Sequence, residues 1–300
     1  MEYILFAFLA LLFSSGNTIF NRLGSNHASA LINATIKSFY IIFACFIMVL
    51  TNGHLVNLYS LSLEKWLWII LMGVLTSIDW FFYFLAIKDA HLEAFAPLTA
   101  SSLLFLSNSL FLIFTFNMVT NGGKSLNIIF YIIGLLALLG AMLFIVFNKK
   151  INPKAKWKWV IYTFVSVFAF AFVLLIVKTK LSDIDSSVIS FHQMSIVFIT
   201  MFISSLFTKK IKEVVTIKKI DHLYIFLGAV FNAFMIMARY QAFSYDNAIP
   251  AIVNVIVGLD FVIVSIATII FFKAKNKLPL TIVIILVVAG MIFDTLAGLI

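Results

Sequence analysis

Long apolar runs separated by short polar intervals dominate the chain. Ten can be delimited, at about 3–21, 29–50, 66–87, 94–117, 127–147, 157–177, 186–207, 223–243, 248–272 and 279–299. Each is close to the roughly 20 residues an α-helix needs to cross the hydrocarbon core of a bilayer. In lipid the backbone polar groups have no water to bond, so a continuous apolar run satisfies them internally as a helix. A membrane β-barrel would alternate apolar and polar residues over strands of about ten residues, and no such alternation occurs. The pattern predicts an all-α polytopic membrane protein with ten transmembrane helices and little chain left for a soluble domain.

Composition agrees. The chain is 63% hydrophobic and 11% charged, whereas soluble domains carry about 25% charged residues. The formal net charge of +9 raises the question of nucleic acid, but the lysines fall in short clusters between apolar runs, with no basic domain or aromatic RNA-binding signature. Cys45 is the only cysteine, which excludes an intrachain disulfide or a cysteine metal cluster. Tyr3 to Phe20 lacks a basic leader and a small-residue cleavage site, so it reads as the first span and not as a removable signal.

Charge in the loops sets an orientation. The loops after helices 1, 3, 5, 7 and 9 hold Arg22, Lys88, the clusters at 149–158 and 209–219, and Lys273, Lys275 and Lys277. Those after helices 2, 4, 6 and 8 hold only Lys65, Lys124, Lys178 and Lys180. By the positive-inside rule the first set is cytoplasmic and both termini lie outside. Abundant Lys, Ile, Phe and Asn fits an AT-rich bacterial genome, hence a bacterial cytoplasmic (inner) membrane.

A repeat is also visible. Gly73 and Gly228, Pro97 and Pro250, and Gly140 and Gly290 hold similar places in helices 3 and 8, 4 and 9, and 5 and 10, at spacings of 155, 153 and 150 residues. All three pairs divide the chain near residue 148, into units 1–148 and 149–300. An odd number of spans per unit inverts the second relative to the first, and inverted repeats characterise alternating-access transporters with a site near the midplane.

Ionisable groups inside spans are costly and mark functional sites by default. The tight hairpin of helices 8 and 9 holds Asn232, Arg239, Gln241, Asn254 and Asp260. Asp260 is a candidate to bind a substrate amine or exchange a proton. Arg239, whose forked donors suit carboxylate or phosphate, either binds substrate or pairs with Asp246 or Asp260. In helix 3, Asp79 with Trp80 and Tyr83 could hold a cation by charge and cation–π attraction, or Asp79 could pair with a neighbouring helix. Lys37 is either a partner for Asp79 or a side chain that snorkels to the interface. His192, beside Gln193 in helix 7, is a candidate for proton coupling or a core histidine with one hydrogen bond. Asn17, Asn21, Asn33 and Asn108 either line a cavity or bridge helices. Asp294 near the chain end is expected to reach the interface. Ala137, Ala141, Gly290 and Gly298 offer small faces for helix packing or a homo-oligomer contact. The HExxH, GxSxG, P-loop and CxxC patterns are all missing, so no enzyme activity, cofactor, metal site or direct ATP drive is expected.

With this plan in place the chain resembles the EamA-type permeases of the drug/metabolite transporter superfamily over nearly its full length. The resemblance rests on Leu11–Asn17 opening helix 1, Tyr83–Ala86 and Tyr240–Ala242 ending helices 3 and 8, and the runs from Ser125 to Gly140 and from Leu278 to Gly290. The chain departs from the family in having Asn121-Gly122-Gly123-Lys124 and Phe272-Lys273 where a Gly-Glu pair is common. It also has Gly258-Leu259-Asp260 in place of a Leu-Glu-Pro-like turn. What the resemblance implies is a central cavity lined by Asn17, Asp79, Trp80 and Tyr83 from one half and Arg239, Asn254 and Asp260 from the other. Lys37, His192 and Gln193 would lie on the gating second helices. The expected function is secondary transport of a small polar metabolite, such as an amino acid, amine or nucleoside, with protons as a possible coupling ion. The alternatives are an uncoupled facilitator, a multidrug or cation exporter, and a non-transporting scaffold or lipid-handling protein.

Overall fold

The computed structural model describes residues 2–25, 28–114, 127–148, 157–271 and 277–299. The Asn121–Lys124 segment, Phe272–Lys273, Lys275 and the lysines at 149, 150, 154 and 156 lie outside them. Ten spans are present, with no strand among the described residues. They are α1 (Glu2–Gly24), α2 (Ala30–Thr51), α3 (Leu63–Asp89), α4 (Leu92–Phe114), α5 (Ile128–Phe147), α6 (Trp157–Lys180), α7 (Ser186–Phe207), α8 (Lys219–Ser244), α9 and α10 (Lys277–Leu299). The ninth consists of α9a (Pro250–Gly258) and α9b (Asp260–Phe271).

Polar intervals supply helix ends. Ser62 accepts from Lys65 N at the start of α3, Asn127 from Ile129 N at α5, and Asp185 from Ser187 N at α7, each satisfying an amide with no intrahelical partner. Helices α3 and α8 begin a turn earlier than hydropathy predicts, because their first turns, with Glu64 and Lys65 or Lys219 and Asp221, are polar but still helical. Pro97 lies inside α4, five residues after its start, whereas Pro250 opens α9a. At Leu259 the α9 ladder tightens: the Leu259 amide is shared between Val255 O and Ile256 O, and Asp260 becomes the first residue of α9b. Gly258 lets Leu104 of α4 close on this point; a Cβ there would lie 3.0 Å from the leucine side chain.

The foremost partner of every helix before residue 148 comes from after it. Helix α1 packs on α8, α2 on α7, α3 on α6, α4 on both parts of α9, and α5 on α10. Advancing each label by five, with the count wrapping round, turns α1–α8 into α6–α3, α1–α9 into α6–α4 and α2–α8 into α7–α3, and all of these pairs are in contact. Apolar side chains on the outer faces, such as Leu5, Leu12, Phe43, Ile47, Leu136 and Ile285, are exposed as lipid-facing residues are.

Loops sort to two ends. At one, Arg22 donates to Ile87 O, Lys88 Nζ to Ala28 O at 3.2 Å, and Ser29 N to Glu213 at 3.1 Å. At the other, His54 meets Asp185 at 3.3 Å and Lys65 meets Asp183 at 2.5 Å. Connections after α1, α3 and α7 thus gather opposite those after α2 and α6, as serial crossing requires. One expectation is corrected here. Asp294 is not at an interface: it is 0% exposed, turned inward between α4 and α5. Proximity to the chain end says nothing of which way a residue faces around its helix.

Candidate functional site

A central cavity of about 110 Å³ is bounded by α1, α2, α3, α4, α6, α7, α8 and α9. That is room for several waters or a small solute. Its charged walls come from four helices: Lys37 on α2, Asp79 on α3, Arg239 on α8 and Asp260 on α9b.

Each charge is held by a neutral polar partner. Ser14 Oγ donates to Asp260 Oδ2 at 2.5 Å, and Ser166 Oγ donates to Asp79 Oδ1 at 2.5 Å. Both bonds join the part of the chain before residue 148 to the part after it, and the two serines stand 152 residues apart, close to the proline spacing. Asp260 also sits where the positive end of the α9b dipole favours an anion. Arg239 donates to Asn254 Oδ1 at 2.8 Å and lies over the Phe170 ring at 5.2 Å. Asn254 in turn donates to Ser107 at 3.1 Å. Among the described residues no Lys or Arg nitrogen lies within 4.0 Å of Asp79 or Asp260, so the opposite charges share a cavity without being paired.

Lys37 does not snorkel. It is 2% exposed, and its Nζ donates to Asn17 Oδ1 at 2.5 Å and Asn21 Oδ1 at 2.7 Å. The same Nζ lies 5.1 Å from the Trp80 ring and 5.7 Å from Phe84. Asn17 and Asn21, one turn apart on α1, present both carbonyl oxygens inward, and two aromatic faces complete an ammonium site that a long side chain does not leave for the interface. Asn21 Nδ2 also reaches Tyr83 Oη at 3.2 Å.

The expected residues therefore separate into groups. Asn17, Asp79, Trp80, Tyr83, Arg239, Asp260, Lys37 and Gln193 border the cavity. Asn254 does not; it stands behind Arg239 and fixes it. His192 points elsewhere: its Nε2 is 3.2 Å from Leu58 O, and its ring packs edge-on against Trp66 at 4.6 Å. Gln193, its neighbour, donates to Thr76 at 2.6 Å and accepts from Tyr240 Oη at 2.8 Å, linking α3, α7 and α8. Ser14, Thr18, Thr76, Ser166 and Tyr240 are cavity residues that hydropathy leaves unremarked, because hydroxyl residues are common in helices that merely pack. Two polar atoms in this wall are buried and unpartnered: Arg239 Nε and Asn232 Oδ1.

Ten apolar helices around a polar cavity define a multi-pass membrane protein with an internal solute-sized site. Residues 157–295 match the EamA-like transporter family. The second half of the chain is thus similar to a family of membrane transporters. No curated protein sequence matches the chain. Among solved structures 28 chains match. One, a crystal structure described only as that of a protein, is 15% identical with a TM-score of 0.67, covering 100% of this chain and 99% of that chain. It shows that the whole chain has a known fold.

Proposed function

We propose that the protein is a secondary transporter that carries a small polar metabolite across the bacterial cytoplasmic membrane by alternating access. Units 1–148 and 149–300 act as two inverted five-helix repeats. The interleaved helix pairing supports this reading, since rocking of one unit on the other would open the central cavity to either side. The lysine-rich 209–219 segment lies on the cytoplasmic side, which puts both chain ends outside.

The observation that carries the assignment of substrate class is the pair of unused valences in the wall. Arg239 Nε is a donor without an acceptor and Asn232 Oδ1 an acceptor without a donor. They are seven residues apart on α8, two turns along one face, or roughly 10 Å of helix axis at 1.5 Å per residue. A solute bearing an anionic or carbonyl group at one end and an amine at the other would satisfy both once the wall opens to admit it, with Asp260 and Asp79 as counter-charges for the amine. Amino acids, amines with a second polar group and nucleosides have this character. The two carboxylates are also the groups that would exchange a coupling proton.

The test is a thermal-shift screen of amino acids, amines, nucleosides and cationic drugs on detergent-purified protein at two pH values, followed by uptake into proteoliposomes. A ligand-specific stabilisation that is lost in Asp260→Asn, with transport driven by an imposed pH gradient, is the expected result. Transport that ignores the pH gradient would make the protein an uncoupled facilitator. Lipid binding insensitive to Asp260→Asn, with no solute response, would overturn the transporter reading.

A further inference from the structure

Away from the central cavity, α10 buries a further carboxyl where α4, α5 and α10 meet. Asp294 is 0% exposed, and one of its oxygens accepts from Asn108 Nδ2 at 2.9 Å. The other, Oδ1, is buried without a partner, and so is Oδ1 of Asn108, itself 0% exposed. The backbones of α5 and α10 come together at the same place. A Cβ at Gly134 would lie 2.9 Å from both the Asp294 carboxyl carbon and Gly290 O, and one at Gly290 would lie 3.0 Å from Gly134 O. Two open side-chain oxygens, Asp294 Oδ1 and Asn108 Oδ1, thus lie on hydrogen-bonded neighbours beside this close helix crossing.

Among the described residues, the helices that meet here supply no counter-charge. Within α4, α5, α9 and α10 the only Lys or Arg is Lys277, at the far end of α10 from Asp294. The facing titratable group on α5 is Tyr131. On α4 the only acidic residue, Glu93, lies fifteen positions before Asn108, and on α9 it is Asp260, in the central cavity. A buried carboxylate without a partner charge is among the most costly arrangements a fold can hold, and orphan acceptors on two hydrogen-bonded side chains ask for something positive beside them.

We infer that Asp294, Asn108 and the Gly134–Gly290 crossing form a binding site for a small monovalent cation, Na⁺ or a proton, distinct from the substrate cavity. Carboxylate and carbonyl oxygens suit hard cations, and a single carboxylate balances a single positive charge, whereas a divalent ion would leave net charge buried. Asn108 follows Ser107, which joins Asn254 and so Arg239. Occupancy at Asp294 is therefore one helix position removed from the residues that hold the substrate-facing arginine.

The experiment is thermal unfolding of the purified full-length protein, with Na⁺ titrated against choline at constant ionic strength and at two pH values. Wild type, Asp294→Asn and Asn108→Ala are compared. If the ion is Na⁺, the wild type gains about 5 °C once Na⁺ reaches a hundred times its Kd, Asp294→Asn gains nothing, and Asn108→Ala needs more Na⁺. If it is a proton, Na⁺ has no effect, and the difference between wild type and Asp294→Asn changes with pH. A Na⁺ or pH response retained in full by Asp294→Asn places it at Asp79 and Asp260 and overturns the inference. So does a wild type that responds to neither. Should Asp294→Asn fail to fold, Asn108→Ala decides, because it keeps the carboxyl and removes one oxygen: an unchanged response overturns the site.

Discussion

Replacing Lys37 with methionine should leave stability almost unchanged while abolishing the response to ligand. The losses can be worked from its surroundings. Asn17 Oδ1 keeps a donor, Asn21 Nδ2 at 3.1 Å, so only Asn21 Oδ1 is orphaned. An unsatisfied acceptor costs about 1–3 kcal/mol, at the low end beside a cavity that water can enter. The ammonium lies 5.1 Å from the Trp80 ring, and a desolvated cation–π contact is worth about 2 kcal/mol. Against these stands the desolvation of a buried ammonium, several kcal/mol, which the variant no longer bears. The terms nearly cancel, and the net change should lie within about 2 kcal/mol, or roughly 4–8 °C in Tm. Methionine fills the same volume and rests on the same rings. Its cost is functional: the cavity then holds two carboxylates against one cation, and a ligand set to a balanced site loses its place. Thermal unfolding in detergent gives the first quantity and ligand titration the second. A fall in Tm well beyond 10 °C with ligand binding intact would refute the reasoning and make Lys37 a structural keystone.

Other outcomes follow from the same geometry. Asn254→Ala should weaken ligand binding about 10- to 100-fold although Asn254 does not border the cavity, since a hydrogen bond to a charged group is worth about 1.5–3 kcal/mol; isothermal titration checks this. His192→Leu should leave the pH dependence of transport as it is and lower Tm by a few degrees, because His192 contacts Leu58 and Trp66 and not the cavity; proteoliposome uptake across pH reads it. Gly134→Ala should destabilise by about 1–3 kcal/mol through overpacking, and Asp294→Ala should recover part of that, as a double-mutant cycle of Tm values would show. Outside the membrane, desolvation of Asp183 is outweighed by its bond to Lys65, which holds the carboxyl below the usual carboxylate range. Its small contribution is complete above about pH 4, the ordinary Asp value, and lost as pH falls through the lowered one; being exposed, the pair should shift Tm by no more than about 2 °C in Asp183→Asn.

Much of this was readable from the chain. Ten spans, the loop parity and a polar site drawn from both halves follow from run length and from where charge interrupts it, because hydrocarbon tolerates few exceptions. What one sequence withholds is the direction a residue faces around its helix. Lys37 is nine residues into its run, a depth compatible with snorkelling; only the two α1 carbonyls and Trp80 decide that it turns inward. Asn254 and Asp260 are both polar residues of one apolar run, yet Asn254 faces α4 and Arg239 while Asp260 borders the cavity. The tightening at Leu259 alters the phase between them, and no hydropathy window registers it. Asp294 looks peripheral by position and is buried by azimuth.

The two serine–carboxylate bonds give the empty protein a resting grip. Ser14 on Asp260 and Ser166 on Asp79 each clasp one half of the molecule to the other, and any tilt that parts α1 from α9 or α3 from α6 strips a carboxylate of its hydroxyl. A bound amine can replace that donor; lipid tails cannot. Under the proposed alternating access, an unloaded protein would be slow to turn over, and a gradient on one side would not be short-circuited by futile cycling.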